Sequence, residues 1–388
     1  MTTDRLPRMI DDMQLSSTLA WLIDEAGASP DADLFLAELG ARLIDDGLPL
    51  AGGALTLAAP HPIIARRTWL WRAETRTVIE ALGFATAGLS DVGPAGPPGK
   101  AGRDWLTGLG GGPVHEDLVG PGPDGPALAW IGQRPLTTAE IDQLRLAARF
   151  ASAPLAALMA RATLTAALEA YLGRRSAERV MAGPLRRGVG ETIRAALLCA
   201  DLRGFTSLSE TAPPAQVIAA LDAWFDRIAG SVHAFGGEVL KFLGDGMLAI
   251  FPVAGGSPGA ACDAALNAVS AARAGMAHLD EVRRRQGLPP LPFGAAVHLG
   301  DVLWGNIGAA DRLDFTAIGP AVNLVSRLEG LCRPLDKGIL VSGAAAAETR
   351  AQLTPLGLHT LRGIASPCAV FTIPESVEPL TAPVRTIN

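Results

Sequence analysis

Near the start of the chain, apolar residues recur every three or four positions. Leu15, Leu19, Leu22 and Ile23, then Leu34, Leu36, Leu39 and Leu43, predict two helices within residues 14–47. Short apolar runs at Gly53–Ala58, Thr68–Trp71 and Ala127–Ile131 read as strands. Residues 93–125 are dense in Gly and Pro and read as long loops. Thr137 and Thr138 open a helix, with Glu140 as a partial capping signal. The helical pattern runs to about Val180 with one interruption at Pro154, where Ser152 is a candidate cap. Leu155, Leu158, Leu164, Leu168 and Leu172 keep roughly one face of that stretch. Such a face suits a connecting helix paired with a second copy, and equally a helix packed on its own domain. Residues 183–190 read as a hinge loop.

A second pattern begins near Glu191. Ile193–Ala200 is almost continuously apolar, as in a buried strand, and ends at Asp201. Pro213 and Pro214 then open a helix whose apolar residues (Val217, Ile218, Leu221, Trp224, Phe225, Ile228, Val232) follow a helical repeat. Gly236 and Gly237 stop it. Val239–Leu243 and Met247–Phe251 flank Gly244-Asp245-Gly246 as a hairpin. A helix over about 258–285, strands over 292–299 and 313–318, and a helix over about 320–331 follow, with short strands at Gly338–Val341 and Ala369–Ile373. Strand, helix, hairpin, helix, strand is the order of an α+β, ferredoxin-like βαββαβ domain.

Composition narrows the picture. The 388 residues exceed one ordinary core, so two domains with a connector are expected. Mean hydropathy is +0.27, but much of it comes from alanine. The most apolar stretch, Phe150–Leu172, contains Arg161 and Glu169, so no membrane span is expected. Residues 1–15 carry Asp4, Arg5, Arg8, Asp11 and Asp12 without an apolar segment, so no signal peptide is expected either. A net charge of −6 argues against a general nucleic-acid binder. Cys199, Cys262, Cys332 and Cys368 lie far apart and suit free thiols in a reducing cytoplasm rather than a zinc site.

Three groups of residues carry candidate chemistry. Asp201 at a strand end and Asp245 at a hairpin tip can share hard cations such as Mg²⁺, which takes one or two carboxylates plus water and phosphates. By position alone, two solvated turn aspartates account for them more simply. Lys241 lies inside an otherwise apolar strand and needs a partner or a ligand. Asn323 and Arg327, four apart on one helix, share a face that can orient a sugar and meet phosphoryl charge, or can simply be an exposed polar stripe.

Taken together, ADLRGFT (200–206), GGEVLKFLGDGMLAIF (236–251), GAAVHLGDVLWGNIG (294–308) and RLDFTAIGPAVNLVSRLE (312–329) closely resemble the catalytic domain of class III adenylate and guanylate cyclases. The resemblance covers roughly residues 190–375. It implies that Asp201 and Asp245 hold two Mg²⁺ (or Mn²⁺) ions, and that Leu202, Gly204, Phe205 and Thr206 form the turn around the triphosphate. It implies that Lys241 and Thr316 recognise the base, that Asn323 and Arg327 orient the ribose and stabilise the pentavalent phosphorus, and that Arg362 contacts the triphosphate tail. Lys241 and Thr316 favour ATP over GTP, and the Lys/Thr pair resembles the subgroup that includes bicarbonate-responsive cyclases. Guanylate cyclases usually carry Glu and Cys at these places. A degenerate, non-catalytic homologue would lack one of Asp201, Asp245, Asn323 and Arg327, and a diguanylate cyclase would carry a different hairpin turn from Leu243-Gly244-Asp245-Gly246. The resemblance further implies composite active sites in a homodimer. The expected organisation is a smaller α/β, GAF-like sensor or dimerisation domain (1–150) with a candidate small-molecule ligand, a helical linker (151–190), the cyclase domain (191–376) and a tail (377–388).

Overall fold

A computed structural model describes residues 16–59, 64–84, 99–120, 125–183, 186–253, 255–309 and 311–374. The expectations for residues 1–15 and for the tail fall outside these, as do parts of the 93–125 and 183–190 segments. The chain divides into two compact units, Met1–Ala167 and Leu168–Asn388.

The first unit contains α1 (Ser17–Asp24), a 3₁₀ turn (Ala26–Ala28), α2 (Ala32–Asp45), β1 (Leu50–Ala58), β2 (Ile64–Arg72), β3 (Thr77–Phe84), α3 (Lys100–Thr107), β4 (His115–Leu118), β5 (Ala127–Gly132) and α4 (Thr138–Phe150). The strands form an antiparallel sheet in the order β3-β2-β1-β5-β4. Both faces of β1 are covered, as strand alternation requires of a nearly all-apolar strand. Leu55 and Leu57 meet Phe35, Leu36, Leu39 and Leu144 on one face, and Ala54 meets Leu106 and Ile131 on the other. Thr137 opens α4 through a complete capping box with Glu140.

The loop reading of residues 93–125 is corrected by α3 and β4. Helix α3 forms because Leu106 is driven into the sheet, while Gly102 lets the helix approach β1. A methyl group at Gly102 would sit 2.8 Å from the Ala54 side chain. Composition hides such a helix, since its glycine serves packing rather than a turn.

Helix α5 (Ser152–Leu172) is long and apolar enough to cross a membrane by length and composition. Its first turns are nonetheless committed to the N-terminal unit. Leu155 and Leu158 are buried there, and the Arg161 guanidinium donates to the carbonyls of Gly27 and Ser29 at 2.7 and 2.6 Å. Leu164 and Tyr171, further along, are exposed.

The second unit opens with α6 (Arg174–Ala182). The expected single interruption of the helical stretch is therefore corrected to two, because Gly173 (φ 80°) separates α5 from α6. The cause lies in the sheet. The buried Glu238 carboxylate accepts hydrogen bonds from Arg175 N (2.9 Å), Ser176 N (3.0 Å) and Ser176 Oγ (2.5 Å), capping the new helix from outside.

The unit continues with β6 (Gly190–Leu202), α7 (Phe205–Thr211), α8 (Pro214–Ala234), β7 (Glu238–Leu243), β8 (Gly246–Pro252), α9 (Pro258–Arg285), β9 (Phe293–Gly308), β10 (Leu313–Ile318), α10 (Pro320–Glu329), β11 (Ile339–Ser342), α11 (Gly343–Ala346), β12 (Thr354–His359) and β13 (Cys368–Thr372). Its sheet runs β12-β13-β11-β9-β6-β8-β7, with β10 paired to β9. The four strands β9-β6-β8-β7, together with α8 and α9, make up the anticipated βαββαβ arrangement. Alternation along β6 sends Ala196, Leu198, Ala200 and Leu202 toward α8 and α9, and Ala195 and Leu197 toward α10 and β10. Both strand ends that carry the aspartates are thus held by a core on each face.

Candidate active site

Asp201 and Asp245 meet through register. In the β6–β8 ladder Asp201 lies opposite Gly246, so the tight turn at Gly244 (φ 67°) places Asp245 beside it. Gly246 leaves the space for this, since a methyl group there would lie 3.0 Å from Asp201 Oδ1. Trp224 of α8 donates its indole N–H to the Asp245 carbonyl at 3.0 Å and packs on Phe293 with ring centroids 4.8 Å apart, fixing the turn. Burial, the neighbouring Asp245 charge and a hydrogen bond that the protonated Asp201 carboxyl donates to Asp245 together push the Asp201 carboxyl up to about 6.

The side chain of Glu329, which the sequence reading did not single out, reaches the same place. Helix α10 brings its carboxylate to Gly294, whose register partner in β6 is Asp201; a methyl group on Gly294 would sit 2.7 Å from Glu329 Oε1. Burial chiefly, then the Asp201 charge, push Glu329 up to about 7, with Arg203 opposing. Among the described residues, no three His, Cys, Asp or Glu side chains form an enclosed metal cage. Two adjacent oxygen donors, one disfavoured as an anion by the other, instead suit an open site for a hard divalent cation completed by water and phosphate.

These shifts have a stability consequence. Both carboxyls bind protons more readily in the folded chain, with ordinary values of 3.8 and 4.5 raised to about 6 and about 7, so their contribution is fully present below about pH 4 and lost as pH rises toward 7. Buried His298, drawn down to about 4, acts in the opposite sense up to about pH 6.5. In EDTA, the melting temperature of the parent is therefore expected to fall between pH 6.5 and 8 more than that of Glu329→Gln. Mg²⁺ at pH 8 should narrow the gap. Parallel melting curves for the two proteins would contradict this reading.

Following Asp201, Arg203 N donates to Pro292 O at 2.7 Å and the Arg203 guanidinium to Lys337 O, while Gly204 takes φ 77° and leads into α7. Leu202 is buried beneath the turn and Thr206 is exposed on it. The first-turn amides of α7 have no acceptor within the helix.

Lys241 and Thr316 are brought toward each other by the β9–β10 hairpin, whose Phe315 and Ala317 pack with Leu240, Leu248 and Ile250. The Lys241 ammonium is paired with Asp314 at 2.8 Å. Thr316 is buried, and its hydroxyl has no hydrogen-bond partner among the described residues. The side chains of Asn323 and Arg327 are exposed on α10 and engaged by no hydrogen bond or ion pair among the described residues. Arg362 is exposed in the β12–β13 connection. Strand register places that connection at the opposite end of the sheet from Asp201, so one chain does not bring the two together.

Residues 190–363 match the family model of the adenylate and guanylate cyclase catalytic domain. The C-terminal unit carries a class III cyclase catalytic domain. The cyclase domain is 32% identical over 178 residues to adenylate cyclase 1 of Rhizobium meliloti, covering 45% of this chain and 26% of that protein. It is 31% identical over 159 residues to an adenylate cyclase of Anabaena cylindrica, covering 40% and 30%. The match thus spans only about a quarter to a third of these curated relatives. The crystal structure of the adenylyl cyclase CyaB from P. aeruginosa is 27% identical and aligns over 50% of this chain and 100% of that one, with a TM-score of 0.46.

Proposed function

We propose that this chain is an adenylate cyclase of the Lys/Thr subgroup, converting ATP into 3′,5′-cyclic AMP and pyrophosphate at sites shared between two copies. The observation that carries this reading is the pairing of Asp201 with Asp245 by β-sheet register, in a domain whose exposed Asn323 and Arg327 side chains have no partner among the described residues.

Asp201 and Asp245 would hold two divalent ions (Mg²⁺ or Mn²⁺), which supply charge neutralisation at the attacking hydroxyl and at the triphosphate. The turn from Leu202 through Gly204, Phe205 and Thr206 offers backbone amides to phosphate oxygens. Lys241 donates to the unprotonated N1 of adenine, and the Thr316 hydroxyl accepts from the exocyclic amine, which satisfies a buried oxygen that has no other partner among the described residues. The ribose 3′-hydroxyl attacks the α-phosphorus and pyrophosphate leaves. Asn323 of a second copy orients the ribose, and its Arg327 meets the charge that develops on phosphorus. Arg362, far from Asp201 in its own chain, reaches the triphosphate tail from the same second copy. The exposed Leu164 and Tyr171 on α5 support the pairing of copies. The antiparallel sheet of the first unit, with α1 and α2 on one face and α3 on the other, supports a GAF-like sensor or dimerisation role.

The deciding experiment supplies the purified chain with ATP or GTP, each with Mg²⁺ or Mn²⁺, and separates the products chromatographically. Cyclic AMP formed from ATP, with little cyclic GMP from GTP, is expected. Preferential formation of cyclic GMP would replace this reading with a guanylate cyclase, and absence of either product would replace it with a binding protein.

A further inference from the structure

Lys241 does not stand alone in its strand. Its ammonium donates to Asp314 Oδ2 at 2.8 Å, across from β7 to β10. Asp314 is two residues from Thr316, so the two side chains share a face of β10. The hydroxyl of Thr316 is buried and has no partner among the described residues, whereas Asp314 is more than half exposed. A register shift in the β7–β8 ladder between Val239 and Lys241 changes the direction in which the strand presents the lysine.

We propose that Asp314 is a positioning residue for base selection, aiming the Lys241 ammonium so that it and the Thr316 hydroxyl read one edge of a purine. This deepens the adenylate cyclase reading and rests on it. A lysine side chain has four rotatable carbons and a point charge, so unaided it can follow either an N1 acceptor or an O6 acceptor. Held at one oxygen of Asp314, it keeps donors for a ligand in a fixed place beside the Thr316 hydroxyl. The pairing also occupies the carboxylate. A carboxylate free of the lysine would be a suitable acceptor for the N1–H and amino group of guanine. The ion pair therefore offers a donor where adenine accepts and withholds an acceptor where guanine donates. Its partial exposure limits its worth to folding, so its consequence falls on the ligand.

The test compares the full chain with Asp314→Asn, Asp314→Ala and Asp314→Glu. Initial rates with ATP and GTP give kcat and KM, and calorimetry follows binding of 3′-deoxy-ATP and 3′-deoxy-GTP, which cannot cyclise through a 3′-hydroxyl. Asp314→Asn and Asp314→Ala are expected to raise KM for ATP and weaken 3′-deoxy-ATP binding about tenfold, the size of one lost charge-assisted hydrogen bond. The change in kcat should stay within about threefold, because the reacting phosphorus is not touched. The preference for ATP over GTP should fall by about tenfold, and Asp314→Glu should recover part of it. An unchanged ATP-to-GTP ratio in Asp314→Ala, or a loss confined to kcat, would overturn the proposal. Failure of the adenylate cyclase reading is distinguishable, because the parent chain itself would then show no preference for ATP.

Discussion

An Asp201→Asn chain is expected to turn over ATP about 10³–10⁴ times more slowly than the parent, since removing the charge stabilisation supplied at two metals costs several kcal/mol and each tenfold is about 1.4 kcal/mol. The substitution keeps the shape of the side chain and removes half of the anionic donor set. The fold should survive it. Asp201 and its neighbour repel each other when no cation is present, and an amide at position 201 relieves that repulsion. The variant should therefore melt no lower than the parent in EDTA while binding Mn²⁺ more weakly, as followed by electron paramagnetic resonance. Asp245→Asn should behave alike, and the double substitution little worse than either, because the two carboxylates act as one unit. Substantial activity in Asp201→Asn would remove the basis for the proposed chemistry.

The second large effect concerns α10. Arg327→Ala is expected to lower kcat by about 10²–10³ with a smaller change in KM, as for other groups that meet charge only in the transition state. The side chain is exposed and has no partner among the described residues, so its loss should leave stability nearly unchanged. An equal mixture of Asp201→Ala and Arg327→Ala chains should recover activity, because each mixed dimer contains one site with both residues intact. With random pairing, half of the dimers are mixed and carry one working site of two, so about a quarter of the parent rate is expected. A mixture no more active than its components would show that each chain works with its own α10, or that sites are not shared.

Much of the cyclase domain is legible before any coordinates. Helix α9 and strand β10 occupy the residues the pattern predicts, about 258–285 and 313–318. The paired aspartates are a different case. Nothing in their spacing joins Asp201 to Asp245. The resemblance implied a common role, and only the alignment of Asp201 with Gly246 makes them neighbours. Glu329 and Asp314 are illegible in the sequence for a related reason. Each is an ordinary charged residue on its own element, and its significance comes from Gly294 or Lys241 approaching from a distant strand. A weak signal did exist for Asp314, since it sits two positions before Thr316 in a strand. Strand β9 runs past the expected 299 to Gly308, because pairing with β10 stabilises a stretch whose Gly300, Asp301, Gly305 and Asn306 argue locally for a turn.

The carboxylate of Glu238 bears on how this molecule can be recombined. It holds the beginning of α6 and stands three positions before Lys241 on the same strand. A chimera that joins a foreign input module upstream of Gly173 carries the donors of Arg175 and Ser176 along with the strand they serve. A junction placed beyond Ser176 strands an anion in the protein interior, at a cost of about 3–5 kcal/mol for an uncompensated buried charge. For exchange of the N-terminal unit, Gly173 rather than the start of the sheet is the natural seam.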